Sequence, residues 1–230
     1  MDETLRIEIA GEAAVMVYLG DTMSPAVADR VQHFNRRLRE RLTDCIQDTV
    51  PSYASVLVLY RPEKIGLQAL RKGVEECARL LDKPTIEAPG RLVKLPVWYG
   101  IEAGPDLAVL AEAKGLPPEA VVERHHGREY RVYAIGFAPG FAYLGEVDEA
   151  IAQARLAAPR RVVPRGAVGI ADRQTAVYPT ASPGGWNLIG RCPVRMFDAL
   201  ADEPMPVCVG DRIQFAPIGR DEFLDLGGEA

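Results

Sequence analysis

The chain is poor in the residues on which several chemistries depend. It has three histidines and four cysteines in 230 residues. Cys45, Cys77, Cys192 and Cys208 form no CxxC pair, and the histidines do not add ligands at close spacing, so no zinc cage is expected. Scattered cysteines of this kind are expected as small core residues rather than as disulfides. No apolar run reaches the length of a membrane span. The start, MDETLRIEIAGEAAV, is acidic where a secretory signal is basic, so a cytoplasmic location is expected. A net charge of -5 without a basic stripe argues against a nucleic-acid partner. The one dense basic cluster, RRLRER from Arg36 to Arg41, has the spacing of a solvated helix face. GxxxxGKS/T, GxGxxG after a strand, GxSxG and HExxH are all absent. Their absence removes the phosphate loop, the dinucleotide fingerprint, the hydrolase nucleophile elbow and the zinc-protease helix.

What is present divides near residues 83–90, where Pro84, Pro89 and Gly90 interrupt the pattern. Before that point, TLRIEIA and AAVMVYLG read as strands. A helix follows, with Ser24 as its cap, Pro25 in its first turn, and Val27, Val31, Phe34, Leu38 and Leu42 on one face. CIQDTVPSY and ASVLVLYR are the next strands, and Leu67, Leu70, Val74, Cys77 and Leu81 line a second helix. Residues 1–88 are therefore expected to form a ferredoxin-like α+β domain. Residues 89–230 differ. Two short helices, DLAVLAEAKG and PPEAVVERHH, precede many short strands separated by Gly and Pro. This texture predicts an all-β barrel or sandwich, with no helix-alternating pattern that would build a parallel sheet.

Three Gly/Pro-rich segments stand out: GFAPGFAYLG (136–145), PRRVVPRGAVGIADRQTAVYP (159–179) and SPGGWNLIGRCP (182–193). Barrel corners need such residues, and that is one reading. The other is a site wall. Gly140, Gly184 and Gly185 would give a ligand access to backbone N–H groups. Phe137, Pro139, Phe141, Tyr143 and Trp186 would supply apolar surface. Arg160, Arg165, Gln174 and Arg191 would hold an anionic or amide-bearing group. Ser182 is read as a turn hydroxyl. His125, at a helix end, is either a polar terminus or a group that transfers a proton near neutral pH. Asp106 is expected to cap a helix.

GFAPGFAYLG, VPRGAVGIADRQTAVYP and SPGGWNLIGRCP resemble the signatures of the family of 5-oxoprolinase B subunits, also called allophanate hydrolase subunit 1, which includes the kinase inhibitor KipI. YGIEAGPDL (99–107) and RHHGREYRVYAIGF (124–137) extend the resemblance, with His125 at the family's histidine position. The chain departs from the pattern at Arg165, Ala167, Asp172, Arg173 and Cys192. The resemblance implies a small ferredoxin-like domain followed by a cyclophilin-like β-barrel. It implies a protein without independent activity, working with a carboxyltransferase-like C subunit (KipA-like) and an A subunit in ATP-dependent opening of 5-oxoproline to glutamate. ATP would be used by the complex rather than bound by a motif here. His125, Arg165 and Arg191 are the expected catalytic residues. Phe137, Pro139, Gly140, Tyr143, Gln174, Ser182, Gly184, Gly185 and Trp186 are the expected substrate wall. Two alternatives follow from the same family: a KipI-like inhibitor of a histidine kinase, and half of a carboxyltransferase that uses biotin on urea or a similar amide.

Overall fold

The computed structural model describes residues 5–82 and 90–229. The acidic residues at 1–4, and the expected linker apart from Gly90, lie outside the described residues. The chain divides into two compact units, Met1–Ala88 and Pro89–Ala230.

The first unit runs β1 (Arg6–Gly11), β2 (Ala14–Tyr18), α1 (Pro25–Arg41), β3 (Ile46–Pro51), β4 (Ser55–Tyr60) and α2 (Leu67–Arg79). Helix α1 starts where its sequence predicts. The Ser24 hydroxyl accepts the Val27 N–H at 3.2 Å, and Pro25 takes a first-turn position that needs no donor. Val31, Phe34 and Leu38 of α1, with Leu70, Val74 and Cys77 of α2, cover one face of the sheet. Alternate residues of β2 and β4, such as Val15, Val17, Val56 and Val58, rise to meet them. The basic cluster is the outer face of α1, where Arg36 pairs with Glu40, Arg39 with Asp48 and Arg41 with Glu76. The sheet is antiparallel with order β1-β2-β4-β3. Its chain order is ββαββα, opening on a hairpin, and so differs from the βαββαβ of the expected ferredoxin-like arrangement.

The second unit contains β5 (Leu92–Tyr99), α3 (Leu107–Lys114), α4 (Pro118–His126), β6 (Glu129–Ile135) and β7 (Ala142–Gly145). These are followed by β8 (Arg160–Val163), β9 (Ala167–Ala171), β10 (Gln174–Val177), β11 (Ser182–Gly184), β12 (Asn187–Arg191), β13 (Arg212–Ile218) and α5 (Arg220–Asp225). Seven strands close a barrel in the order β10-β7-β6-β13-β5-β12-β9, and β8 and β11 form a separate ribbon. The barrel includes one parallel pair, β5 with β13, in register from Arg212 opposite Leu92 to Ile218 opposite Trp98. No parallel pairing was expected, because local periodicity carries no information about strands so far apart in the chain. The core is filled by inward residues such as Leu95, Val132, Leu144, Ile170, Ile189 and Phe215, with Leu110 and Val121 of α3 and α4 packed into it.

Of the cysteines, Cys77 and Cys192 are buried as expected, whereas Cys45 is half-buried and Cys208 exposed. Among the described residues no helix is long and apolar enough to cross a membrane.

The backbone of β12 lies hard against the loop that precedes α3. A Cβ at Gly104 would stand 2.1 Å from the Ile189 carbonyl carbon. Gly104→Ala should therefore separate the two segments and cost about 1–3 kcal/mol, as overpacking does elsewhere. The measurement is the urea midpoint; a midpoint equal to wild type would contradict the close approach.

Candidate functional site

In the last turn of helix α4 lies His125, whose side chain turns into the barrel and has no solvent-accessible surface. Its Nδ1 lies 2.7 Å from the Tyr99 hydroxyl on β5 and its Nε2 2.9 Å from Thr175 Oγ1 on β10. Thr175 donates its own proton to the Gly169 carbonyl at 2.9 Å. Thr175 must then accept from Nε2–H, and Nδ1 must accept from Tyr99. All three groups are satisfied by the neutral imidazole. Phe215 stacks on the ring with centroids 4.7 Å apart, and the Tyr130 hydroxyl donates to the His125 carbonyl at 2.6 Å. Burial, with a smaller contribution from neighbouring His126, pulls the His125 pKa down to about 3. His125 meets no solvent and both of its nitrogens are engaged inside the barrel.

The glycines and the tryptophan also change meaning. Gly140 has φ of 82°, and a Cβ there would stand 2.4 Å from the Met196 carbonyl. At Gly184 a Cβ would meet the Tyr178 hydroxyl at 2.4 Å. The Gly185 carbonyl accepts the Leu156 N–H at 2.7 Å. Gly140 and Gly184 are needed here for close approach within the protein, whereas Gly185 has only ordinary contacts. Trp186 is only 4% exposed. It lies under Phe141, Tyr143 and Tyr178, with the Arg155 guanidinium 5.8 Å from its centre. Trp186 is therefore the base of an aromatic cluster rather than an open wall. The Ser182 Oγ is buried without a hydrogen-bond partner. Gln174 opens β10 opposite Gly145. Asp106 makes no capping bond. Its carboxylate instead accepts from the Leu188 N–H at 2.7 Å and pairs with Arg160, tying the start of α3 to β12.

Two features do reach solvent. The first is the β6–β7 loop, closed by the Gly136 N–H to the Phe141 carbonyl and the Phe141 N–H to the Ala138 carbonyl, both at 3.0 Å. At its tip Phe137 is 66% exposed with φ of 70°, and Pro139 beside it is also exposed. A bulky residue in the left-handed region costs about 1–3 kcal/mol and marks a functional candidate. The Phe137 ring stands edge-on to Phe141, 5.3 Å away, and so caps the aromatic cluster.

The second is an arginine pair. Arg191 ends β12, and Arg165 lies in the turn before β9, whose Ala167 is opposite Arg191. Both side chains reach Glu229. Arg165 donates to its carboxylate at 2.9 Å and Arg191 to its main-chain carbonyl. Burial lowers the Arg191 pKa, the Glu229 charge partly offsets this, and the Arg165 charge lowers it further. Cys192 beneath them is buried, and its thiol is pushed up to about 12, which keeps it protonated. Trp186 and Arg191 flank β12, roughly 16 Å apart at the usual rise per residue. The expected site therefore resolves into an aromatic tip and an arginine pair, with His125 inside the barrel.

Residues 5–207 match the family described as carboxyltransferase domain, subdomain C and D. The chain belongs to that family. It is 39% identical over 216 residues to the 5-oxoprolinase B subunit of Escherichia coli O157:H7, covering 92% of this chain and 95% of the relative. The crystal structure of TTHA0988 superposes with a TM-score of 0.78 at 35% identity, over 89% of this chain and 40% of that longer one. The Kluyveromyces lactis urea carboxylase superposes at 0.75 over 96% of this chain and 22% of its own length. At 18% identity that last likeness is one of fold alone.

The buried imidazole has a consequence for acid stability. Unfolded, His125 takes up a proton below its usual 6.5, while the folded group resists protonation down to about 3. Its contribution is fully present above pH 6.5 and is lost as pH falls toward 3, at about 1.4 kcal/mol per pH unit. Urea midpoints measured from pH 7 to 4.5 should fall for wild type, and His125→Asn should show a slope flatter by one proton. Equal slopes would show that His125 is not held neutral.

Proposed function

We propose that this chain is the B subunit of an ATP-dependent 5-oxoprolinase, acting in the cytoplasm with a carboxyltransferase-like C subunit and an A subunit to open 5-oxoproline to glutamate. The observation that carries this reading is the identity to a 5-oxoprolinase B subunit along 95% of that relative's length. The first unit fits the same reading of the fold. Moving β1 behind α2 converts ββαββα into βαββαβ with the strand order unchanged, which is a circularly permuted ferredoxin-like sheet. The barrel is read as cyclophilin-like.

The chemistry explains the need for several proteins. A lactam is resonance-stabilised and resists water. Phosphorylating its oxygen with ATP makes the ring carbon electrophilic. Water adds, the C–N bond breaks as the nitrogen takes a proton, and a second water releases phosphate and leaves glutamate. The protein must hold the carboxylate and stabilise charge at the lactam oxygen. This chain offers arginines for those tasks, while ATP is assigned to the complex because no GxxxxGKS/T occurs here. Biotin is not invoked, since the likeness to urea carboxylase concerns the fold. Phe137 and Pro139 form a strained apolar tip suited to insertion into the C subunit.

Co-expression tests the assembly. The complex should hydrolyse ATP in response to 5-oxoproline, and leaving out this chain should abolish that response. Phe137→Gly relieves the left-handed strain, so folding stability should not fall, while affinity for the C subunit should weaken about tenfold or more. A 5-oxoproline response that persists without this chain, or recovery of a histidine kinase in place of the C subunit, would overturn the reading.

A further inference from the structure

The contact made by Glu229 has a chemistry of its own. Helix α5 is anchored by Phe223, buried against Trp98 with ring centres 5.4 Å apart. The chain then reverses. Gly227 takes φ of 82°, and the Gly228 N–H returns to the Phe223 carbonyl at 2.9 Å. A Cβ at Gly228 would stand 2.4 Å from the Phe223 ring. This turn delivers Glu229 onto the two arginines, with its carboxylate on Arg165 Nη2 and its peptide carbonyl on Arg191 Nη1.

The two acceptors are joined through Cγ, Cβ and Cα. Free 5-oxoproline carries the same pair, a carboxylate and an amide carbonyl, joined through the same number of carbons, because it is glutamate closed on itself. The segment can also be displaced. The Glu229 side chain is 74% exposed, so its ion pair is solvent-screened and weak. Arg165 is more covered, at 26%.

We infer that Arg165 and Arg191 form the subsite for 5-oxoproline, Arg165 taking its carboxylate and Arg191 its lactam oxygen, and that Glu229 occupies this subsite in the free chain as a displaceable internal mimic. The identity of the ligand rests on the 5-oxoprolinase reading; the arginine pair and its occupant do not. In the resting chain Glu229 balances one of the two positive charges, on Arg165, and covers Arg191 with a neutral carbonyl, so the subsite is occupied. Ligand binding must expel Glu229, so the tail sets the apparent affinity.

The test is calorimetric titration of the full chain with 5-oxoproline, with uncharged 2-pyrrolidinone as the control lactam. Glu229→Ala alters an exposed side chain and should tighten 5-oxoproline binding about threefold to tenfold over wild type. Glu229→Gln, which keeps a side-chain oxygen for Arg165 but not the charge, should fall between the two. Arg165→Gln, made in the Glu229→Ala background, should weaken 5-oxoproline at least tenfold and leave 2-pyrrolidinone unchanged. Equal affinities for wild type and Glu229→Ala would overturn the internal occupant. Unaltered binding in Arg165→Gln, or no binding by wild type and Glu229→Ala alike, would overturn the subsite. The assembled complex separates this inference from the function. If its 5-oxoproline KM is unmoved by Arg165→Gln, the subsite fails while the role in the complex stands. If the complex has no 5-oxoproline-dependent activity but Glu229→Ala binds the ligand as expected, the role in the complex fails while the subsite stands.

Discussion

A neutral imidazole can lie inside a β-barrel only if both of its nitrogens are answered there, and His125 is answered from opposite sides. Tyr99 belongs to β5 and Thr175 to β10, and either path around the closed strand order separates them by at least two intervening strands. The side chain therefore works as a strut across the core. It reaches Gly169 on β9 through Thr175, while Tyr130 on β6 fixes the end of α4 from which it projects. An unanswered buried donor or acceptor costs about 1–3 kcal/mol. The network thus favours one register among strands whose aliphatic side chains would tolerate several.

Fixing that register places the surface groups. Strand β12 sits between β5 and β9, with Gly190 opposite Tyr99 and Arg191 opposite Ala167. The strut at Tyr99 is therefore one residue pair from the arginine that meets Glu229. At the other end of the strand, Asn187 donates to the Ala154 and Ile170 carbonyls, and Asp106 accepts from the Leu188 N–H. Side-chain hydrogen bonds hold the Asn187 end of β12 and backbone pairing to β5 and β9 holds the other, so Arg191 is presented by a strand rather than by a loop, as a precise anion contact requires.

The sequence disclosed those parts of the fold that depend on near neighbours. The Ser24–Pro25 start of α1, the buried stripe Val31–Phe34–Leu38 and the short strands β9, β10, β12 and β13 all follow from local pattern. It did not disclose what depends on distant partners. The β5–β13 pairing joins segments with more than a hundred residues between them, and His125 reads as a solvated helix end until the barrel closes around it. Asp106 stands at a cap position, but a buried N–H on β12 claims its carboxylate first. The β6–β7 loop has two residues at positive φ, and beside the expected glycine, Gly140, the other is Phe137, one place after the glycine that a turn pattern would select. Glu229 carries no local signal at all; its meaning appears only once the turn at Gly227 and Gly228 has been formed.

The residues consumed within the fold and the candidate functional residues share a physical logic. Gly140, Gly184 and Trp186 look like a ligand wall because turn residues and aromatics also build walls, yet each is consumed by contacts within the protein. A group so consumed stabilises the fold and has little left to offer a ligand. Free energy for recognition has to come from groups held at a cost or in contacts that are easily exchanged. Phe137 is held in an unfavourable backbone conformation, and the Glu229 side chain that meets Arg165 is largely in water. A partner that rewards the first and a ligand that replaces the second can each shift this chain without disturbing the barrel. That is possible because the His125 network and the apolar core that hold the barrel are buried beneath both.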